Sequence, residues 1–279
     1  MKIIEDLHIH TKFSKDSKEE PEKYLPVAIE RGIEYLGFSE HIDLDPLDKD
    51  FGYYNYGEAL ASYKELNRKY GNALNFLFAT ELTYQSTLEE SIKQTLEGRP
   101  YDYVIGSVHR LEGFTISGPH GLRYFEVKDE QSSYNIYFEE VLKMVQMGFF
   151  EILGHLDVIK RYGIKYYGPF VAERYKDIIM EILREVVKRG QVIEINSSGF
   201  RQGVNEQYPS NDILEMYREA GGEELVIGSD AHNVRDFGAY LEEAVENALS
   251  VYDFEVVAFK KKEKIRLCRL SELFTYNNI

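Results

Sequence analysis

The first chemically distinctive feature of the sequence is a pair of histidines in Asp6-Leu7-His8-Ile9-His10. These residues end an apolar run of the kind that forms a strand. Alternate residues of a strand share one face, so both imidazoles can reach a single ion. The spacing therefore predicts one corner of a metal site.

Potential metal ligands also follow other apolar runs along the chain. These residues are His41, Glu81, His109, His155, Asp230 and His232, while Glu194 and Asn196 flank the end of one further run. Imidazole and carboxylate ligands suit Zn²⁺, Mn²⁺ or iron. Because six of the seven histidines end a predicted strand, we predict a metal cluster. The seventh, His120, lies in a loop without a ligand-type neighbour, and we expect a surface or substrate-pocket position for it.

The elements that must gather these ligands are seven short apolar runs that alternate with helix-like segments. The predicted strands are Lys2–Leu7, Tyr35–Phe38, Asn75–Ala79, Tyr103–Ile105, Phe149–Leu153, Val192–Ile195 and Leu225–Ile227. The predicted helices are Pro21–Arg31, Glu58–Tyr70, Leu88–Leu96, Ser132–Met147, Val171–Lys188, Asn211–Glu219 and Asp236–Ser250. Such alternation indicates an α/β fold with a mostly parallel sheet. A single-domain barrel of about seven βα units fits the chain length, and its active site would lie at the carboxyl ends of the strands.

The last part of the sequence predicts a hairpin that closes this barrel. Phe254–Phe259 and Lys264–Leu270 form its two strands, and the charged residues Lys260 to Glu263 form a solvated turn. No linker, repeat or low-complexity stretch divides residues 1–279, so we predict one domain.

Composition restricts the classes of partner. The net charge of −15 argues against nucleic acid, whose phosphates attract basic surfaces. A small phosphate ester remains compatible, because bound divalent cations reverse the local field. No apolar run reaches membrane-spanning length, and no signal peptide precedes the first strand. With Cys268 as its single cysteine, we expect a complete, unprocessed cytoplasmic protein. Oligomeric state is not predicted.

Taken together, the motifs resemble those of the polymerase-and-histidinol-phosphatase (PHP) superfamily. They are Asp6-x-His8-x-His10, Ser39-Glu40-His41, Glu81, Gly106-Ser107-Val108-His109, Gly154-His155 and Gly228-Ser229-Asp230-Ala231-His232. Within the superfamily the chain is similar to the histidinol-phosphate phosphatases. That likeness depends on Gly154–Arg161, and on Glu194–Arg201 followed by Tyr208-Pro209. The resemblance extends from the first strand to the final hairpin.

The resemblance implies a distorted, TIM-like (β/α)₇ barrel that binds two to three divalent ions of zinc, manganese or iron. By motif position, the first ion would be held by His8, His10, Glu81 and Asp230. Glu81 would bridge to a second ion on His109 and His155, and a third would lie on Asp16, His41 and His232. Many members have a histidine where Asp16 stands. A carboxylate there preserves a ligand but is expected to change occupancy or metal preference.

The implied reaction is hydrolysis of L-histidinol phosphate by a metal-activated hydroxide. Asp230 and His232 are expected to transfer protons near the metal ions, although binding a metal would compete with proton transfer at the same side chains. We expect Arg161 and Arg201, and next Arg110, to bind the phosphate. Glu112, Asp43 and Asp45 are candidate acceptors for the substrate's ammonium and imidazole. The aromatic stretch Phe51–Tyr56 predicts either a lid or a packed loop.

Three alternatives stay open from the sequence. The nearest is a PHP phosphoesterase that acts on another small ester, such as a nucleoside bisphosphate or a sugar phosphate. A nuclease is disfavoured by the net charge. A non-catalytic metal-binding or regulatory module is disfavoured by the intact ligand set.

Overall fold

A computed structural model describes residues 1–277 and contains the predicted alternation of strands and helices. The strands are β1 (Glu5–Ile9), β2 (Tyr35–Ile42), β3 (Asn75–Thr83), β4 (Tyr103–Ser107), β5 (Arg110–Leu111), β6 (Phe114–Thr115), β7 (Ile152–Leu153), β8 (Val192–Asn196), β9 (Glu224–Gly228), β10 (Glu255–Lys260) and β11 (Glu263–Arg269). The helices are α1 (Tyr24–Arg31), α2 (Tyr56–Tyr70), α3 (Glu89–Leu96), α4 (Leu122–Val127), α5 (Glu130–Met147), α6 (Lys160–Tyr167), α7 (Lys176–Lys188), α8 (Ser198–Arg201), α9 (Asn211–Glu219) and α10 (Leu241–Val251).

Nine of the strands form one sheet in the order β1-β2-β3-β4-β7-β8-β9-β10-β11. Neighbouring strands from β1 to β10 are parallel, and only β11 runs antiparallel to its neighbour. Apolar side chains pack on both faces, because a main core lies under the helices and a smaller buried cluster includes Leu7, Leu77, Tyr103 and Val192. The predicted single-domain α/β fold with a mostly parallel sheet is confirmed.

The sheet curls until β1 meets β9, and this seam is held in an unusual way. An isolated bridge links the two backbones, through the hydrogen bonds from His10 N to the Ala231 carbonyl and from Ala231 N to the His8 carbonyl. Further along, the carboxylates of Glu5 and Asp6 accept hydrogen bonds of 2.8 Å from the backbone N–H groups of Ile227 and Ser229. Side chains thus replace ladder bonds at this seam, and among the described residues no continuous hydrogen-bonded ladder closes the sheet into the predicted barrel.

The predicted closing hairpin is formed by β10 and β11. Its turn residues, Lys261 and Lys262, have φ values of 52° and 68°. The hairpin tip reaches the amino ends of other strands, where Lys260 Nζ lies 3.0 Å from Asp102 and Lys262 Nζ lies 3.2 Å from Glu151. The hairpin therefore covers the end of the barrel opposite to the carboxyl ends of the strands.

Some predicted boundaries are wrong for local reasons. The predicted strand Phe149–Leu153 is reduced to β7, because the Glu151 side chain bonds to Val104 N at 2.9 Å. The helix predicted from Asp236 begins only at Leu241, since Tyr240 adopts a left-handed φ of 60°. The pair β5–β6 and helices α4, α6 and α8 were not predicted. Among the described residues, no helix is both long and apolar enough to span a bilayer.

Candidate metal centre

The first group of ligand atoms combines the two histidines of β1 with acids from β3 and the end of β9. His8 Nε2 lies 3.2 Å from Glu81 Oε2 and 3.7 Å from Asp230 Oδ1. His10 Nε2 lies 3.5 Å and 3.4 Å from the same two atoms. All four side chains are buried or nearly so. These atoms surround one position that could hold an ion.

The second group uses the other oxygen of Glu81. Glu81 Oε1 lies 3.3 Å from His109 Nε2 and 2.8 Å from His155 Nε2. The two imidazole nitrogens are 3.3 Å apart. One carboxylate therefore belongs to both groups, as the bridging role expected for Glu81 requires.

The third group lies nearer to solvent. Asp16 Oδ2 lies 3.7 Å from His41 Nε2 and 3.2 Å from His232 Nε2, and the two nitrogens are 3.3 Å apart. The side chain of Asp16 is 45% exposed, and those of His41 and His232 are 16% and 27% exposed. The ligands of this group are therefore less shielded than those of the other two.

The chemistry of these groups fits divalent metal ions. Ligand atoms that share a tetrahedral ion at about 2.1 Å lie about 3.4 Å from one another. The separations given above are 3.2–3.7 Å, except for the shorter 2.8 Å between Glu81 Oε1 and His155 Nε2. Two of the atoms, His8 Nε2 and His10 Nε2, are buried and have no hydrogen-bond partner among the described residues. Buried polar atoms are nearly always paired, so an ion would supply what these atoms lack. Among the described residues, three ligand atoms lie within 4.8 Å of one another in four sets, none of which includes Asp16: His8-His10-Asp230, His8-Glu81-His155, His41-Glu81-His109 and His10-His41-His232.

Electrostatics favour the metal-binding form in only some of these ligands, because neighbouring carboxylates raise the pKa values of His8, His41, His155 and His232 despite burial, and an ion must displace their protons. Burial alone would raise the pKa of Glu81, but His8, His109 and His41 hold it well below its usual range. Burial and the neighbouring His41 and His232 lower the pKa of His10, which keeps its imidazole neutral. A carboxylate and a neutral imidazole are the forms that bind a metal.

Glu194 supports the first two groups through hydrogen bonds to His8 and His155, a role that its position in the sequence did not predict. Its Oε1 lies 2.6 Å from His8 Nδ1, and its Oε2 accepts a 2.9 Å hydrogen bond from His155 N. The carboxylate fixes the proton on His8 Nδ1 and leaves Nε2 free for an ion. The sequence feature that could have identified Glu194 is an acidic residue inside an apolar run, because every residue of β8 is buried.

The end of β9 is held close to β1 by small and constrained residues. A Cβ on Gly228 would lie 2.3 Å from Glu194 Oε1 and 2.6 Å from His8 Cβ, so only glycine fits there. Asp230 adopts a left-handed φ of 55°, a conformation that non-glycine residues keep mainly at functional sites. Asp6 accepts hydrogen bonds from the N–H and hydroxyl groups of Ser229. The close packing at Gly228, the hydrogen bonds between Asp6 and Ser229, and the left-handed backbone of Asp230 together orient the Asp230 side chain toward the ligand groups.

Glu40 organises the loop that carries Asp16. This buried carboxylate accepts 2.6 Å hydrogen bonds from the hydroxyls of Thr11 and Ser14. Ser14 Oγ in turn lies 3.1 Å from His10 Nδ1, and Ser17 Oγ donates to the His232 carbonyl at 2.8 Å. Burial raises the pKa of Glu40 despite these bonds. The sequence singled out Glu40 only as a motif residue beside His41.

A cavity of about 390 Å³ opens above the cluster. All three ligand groups reach it, through Asp16, His41, Glu81, His109, His155, Asp230 and His232. Asp43, Asp48, Asp50, Ser117 and Arg161 complete much of its wall. Its size and depth suit a small polar molecule.

The three predicted phosphate-binding arginines have different surroundings. Arg161 lines the cavity and donates a 2.8 Å hydrogen bond to the Ser117 carbonyl. Arg201 is not among the residues that line the cavity; it donates to the carbonyls of Ser229 and Asp230, and its Nη1 is buried without a partner in the part of the chain that the structure describes. Arg110 is buried, and its guanidinium bonds to Asp45 and Asp48 at 3.0 and 2.8 Å. Arg110 therefore holds two wall segments together, and its substrate role stays a prediction.

Other residues considered from the sequence lie in several places. Asp43 lines the cavity, and burial raises its pKa. Glu112 pairs instead with Lys128 at 2.7 Å. His120 is exposed in a short turn outside the set of cavity-lining residues. Within Phe51–Tyr56, Phe51 is half exposed, whereas the Tyr54 hydroxyl packs 3.1 Å from that of Tyr101, so the stretch is partly a packed loop.

Comparison with known proteins gives a consistent set of relatives. A family model described as PHP domain matches residues 6–198. The histidinol-phosphatase of Lactococcus lactis is 28% identical over 228 residues, covering 81% of this chain and 83% of the relative. A probable histidinol-phosphatase of Clostridium acetobutylicum is 27% identical over 265 residues, covering 93% of this chain and 98% of the relative.

A solved structure extends this likeness to three dimensions. It is the crystal structure of histidinol phosphate phosphatase from Lactococcus lactis, complexed with zinc, L-histidinol and phosphate. The TM-score is 0.85 at 25% sequence identity, and the match covers 95% of this chain and 99% of the other.

Proposed function

The chain belongs to the PHP domain family, and from this premise we propose that it hydrolyses L-histidinol phosphate to L-histidinol and inorganic phosphate. Glu81 carries the proposal, because its two oxygens join separate ligand groups at the base of one cavity. The substrate is supported by relatives that are histidinol-phosphatases and align over most of this chain. It is also supported by the similar solved structure, which holds L-histidinol and phosphate.

Different residues of the chain are proposed to bind the metal ions, the phosphate group and the cationic part of the substrate. Divalent ions on the three groups would supply a nucleophile that is active at neutral pH and would neutralise phosphoryl charge. Arg161, whose planar guanidinium matches phosphate oxygens, orients the ester from the cavity wall. Arg201 assists from behind Asp230, and Asp43 accepts a hydrogen bond from the cationic part of the substrate.

Asp230 and His232 are the groups that we assign to proton management. Both line the cavity, and His232 Nδ1 lies 3.1 Å from the Asp230 carbonyl oxygen. Each also belongs to a ligand group, so metal binding competes with proton transfer at the same atoms. The backbone carbonyl favours a proton on Nδ1 and leaves Nε2 as the exchanging atom.

We also propose two to three divalent ions per chain, the third on the group of Asp16. Zinc, manganese and iron are the candidate metals, because each accepts mixed imidazole and carboxylate ligands. We place the enzyme in the cytoplasm, where a lone buried thiol such as that of Cys268 stays reduced. A small phosphate ester is the partner, and the acidic surface disfavours nucleic acid.

The decisive experiment measures phosphate release by metal-replete protein whose metal content has been quantified. We expect a kcat/KM for L-histidinol phosphate of at least about 10⁴ M⁻¹s⁻¹, the lower range for enzymes on their own substrates. Faster turnover of adenosine 3′,5′-bisphosphate or glucose 6-phosphate would instead identify a phosphoesterase of another substrate class. Comparable cleavage of single-stranded DNA would indicate a nuclease. Absence of turnover on every ester would leave a metal-binding module.

A further inference from the structure

Lys160 is a fully buried lysine beside the metal centre that the reaction described above does not use. Its Nζ lies 2.7 Å from Asp157 Oδ2, 2.7 Å from Glu206 Oε1 and 3.3 Å from the Gln207 carbonyl oxygen. An ammonium group has three N–H donors, so all of them are engaged. Lysine is almost never fully buried unless it is paired.

The acceptors of Lys160 lie on two segments that are distant in sequence. The first runs from His155 to Arg161 after β7, and the second comprises residues 206–210 before α9. Asp157 Oδ2 adds a direct link, because it also accepts a 3.1 Å hydrogen bond from Ser210 N. Lys160 therefore fastens the first segment to the second.

The first segment forms part of the cavity wall, and the second supports Arg201, which bonds to the carbonyl of the cavity-lining Asp230. The first segment carries His155 and Arg161, both of which line the cavity. The second packs against α8, since a Cβ on Gly199 would lie 2.1 Å from the Glu206 carbonyl oxygen. Helix α8 ends at Arg201, which bonds to the carbonyls around Asp230. The separation of the two arginines thus depends on the contact between the two segments.

We propose that Lys160 is a positioning residue that sets Arg161 and Arg201 at the spacing needed to hold a phosphate group. It acts through Asp157 and Glu206 and does not itself line the cavity. This inference rests on the proposed function for the identity of the ester. The binding of inorganic phosphate tests it separately.

Two variants test the contact that Lys160 makes between the two segments, one at its exposed acceptor and one at its buried ion pair. Glu206→Ala removes the acceptor that is 40% exposed, and the chain is expected to fold. The double variant Lys160→Met, Asp157→Asn removes both buried charges together, because a lone buried charge would destabilise the fold. The control is Lys260→Met, since Lys260 Nζ also has three partners, Tyr63, Phe76 and Asp102, but at the opposite end of the barrel.

The measurements are the Kd of inorganic phosphate, the KM and kcat for L-histidinol phosphate, the metal content and the Tm. We expect the double variant to raise Kd and KM by about tenfold, with unchanged metal content and a smaller change in kcat, as when uniform binding is lost. Glu206→Ala should raise them by about threefold. The control should lower only the Tm.

Wild-type values of Kd and KM in either folded variant, together with a lowered Tm, would overturn the inference and leave Lys160 a purely structural residue. If the double variant does not fold, Glu206→Ala decides the question alone. If the wild-type protein binds phosphate but does not hydrolyse L-histidinol phosphate, the proposed function fails, while the Kd values still test the linkage.

Discussion

Glu194→Gln is the substitution that tests most sharply how the metal centre is organised. The carboxylate accepts on both sides, from His8 Nδ1 at 2.6 Å through one oxygen and from His155 N at 2.9 Å through the other. A glutamine has one acceptor and one donor at these positions. Whichever way the amide turns, its NH₂ group faces another buried N–H group.

The expected cost follows from this geometry. A hydrogen bond to a charged group contributes about 1.5–3 kcal/mol, and the substitution removes one such bond and the negative charge. Loss of a supporting partner typically weakens metal binding about 10–100-fold, or about 1.4–2.7 kcal/mol. The two ranges agree. We therefore expect the tightest-bound ion of Glu194→Gln to have a Kd that is 10–100-fold higher than in the wild-type protein.

Equilibrium dialysis against a graded series of chelator concentrations, followed by metal analysis, gives this Kd directly. Glu151→Gln is the matched control, because Glu151 is a largely buried acid that accepts a hydrogen bond from a strand N–H, that of Val104, at the amino ends of the strands. A Kd for Glu194→Gln within about twofold of both wild type and control would refute the supporting role of Glu194.

Three further outcomes are expected. Chelator should remove one ion per chain before the others, since Asp16 is 45% exposed, and Asp16→Asn should abolish that first phase; metal release in a single phase would contradict this order. His155→Ala should lower kcat by more than about 100-fold while the circular dichroism spectrum is unchanged, because a direct ligand matters more than a supporting partner. Burial raises the pKa of the Cys268 thiol to about 12, so little thiolate exists at pH 8. A thiol reagent should therefore react slowly until denaturant is added, and rapid labelling of the native protein would show that the thiol is accessible.

The sequence indicated in advance which candidate ligands the fold brings together, because a residue's position at the end of a strand is a local property. Apolar runs and their following residues identify His109 and His155 without any knowledge of their partners. Their supporting contacts were missed for the opposite reason. Glu194 and His8 are separated by 186 positions, and their contact depends on how the curled sheet brings β8 across from β1. The contacts of Lys160 and Arg110 likewise depend on packing between loops, and the spacing of apolar residues in the sequence does not indicate which loops lie together.

Strand boundaries were predicted wrongly where a side-chain carboxylate accepts the hydrogen bond that a backbone carbonyl of the neighbouring strand would otherwise accept. Glu151 replaces a ladder bond at the start of β7, and Glu5 and Asp6 do the same at the seam between β1 and β9. Hydrophobic patterns describe which residues are buried, but they do not show which acceptor satisfies a given N–H group.

The seam between β1 and β9 has a consequence for how the protein acquires its metals. The first ligand group draws on His8 of β1 and on Asp230, which directly follows β9, so its ligands come from strands that are far apart in the chain. During synthesis, this group cannot assemble until β9 has emerged from the ribosome and docked against β1. Metal capture is thus expected to be a late event that reports completed folding. Once bound, an ion joins positions more than 200 residues apart and, at a free concentration 1,000-fold above its Kd, stabilises the native state by about 4 kcal/mol.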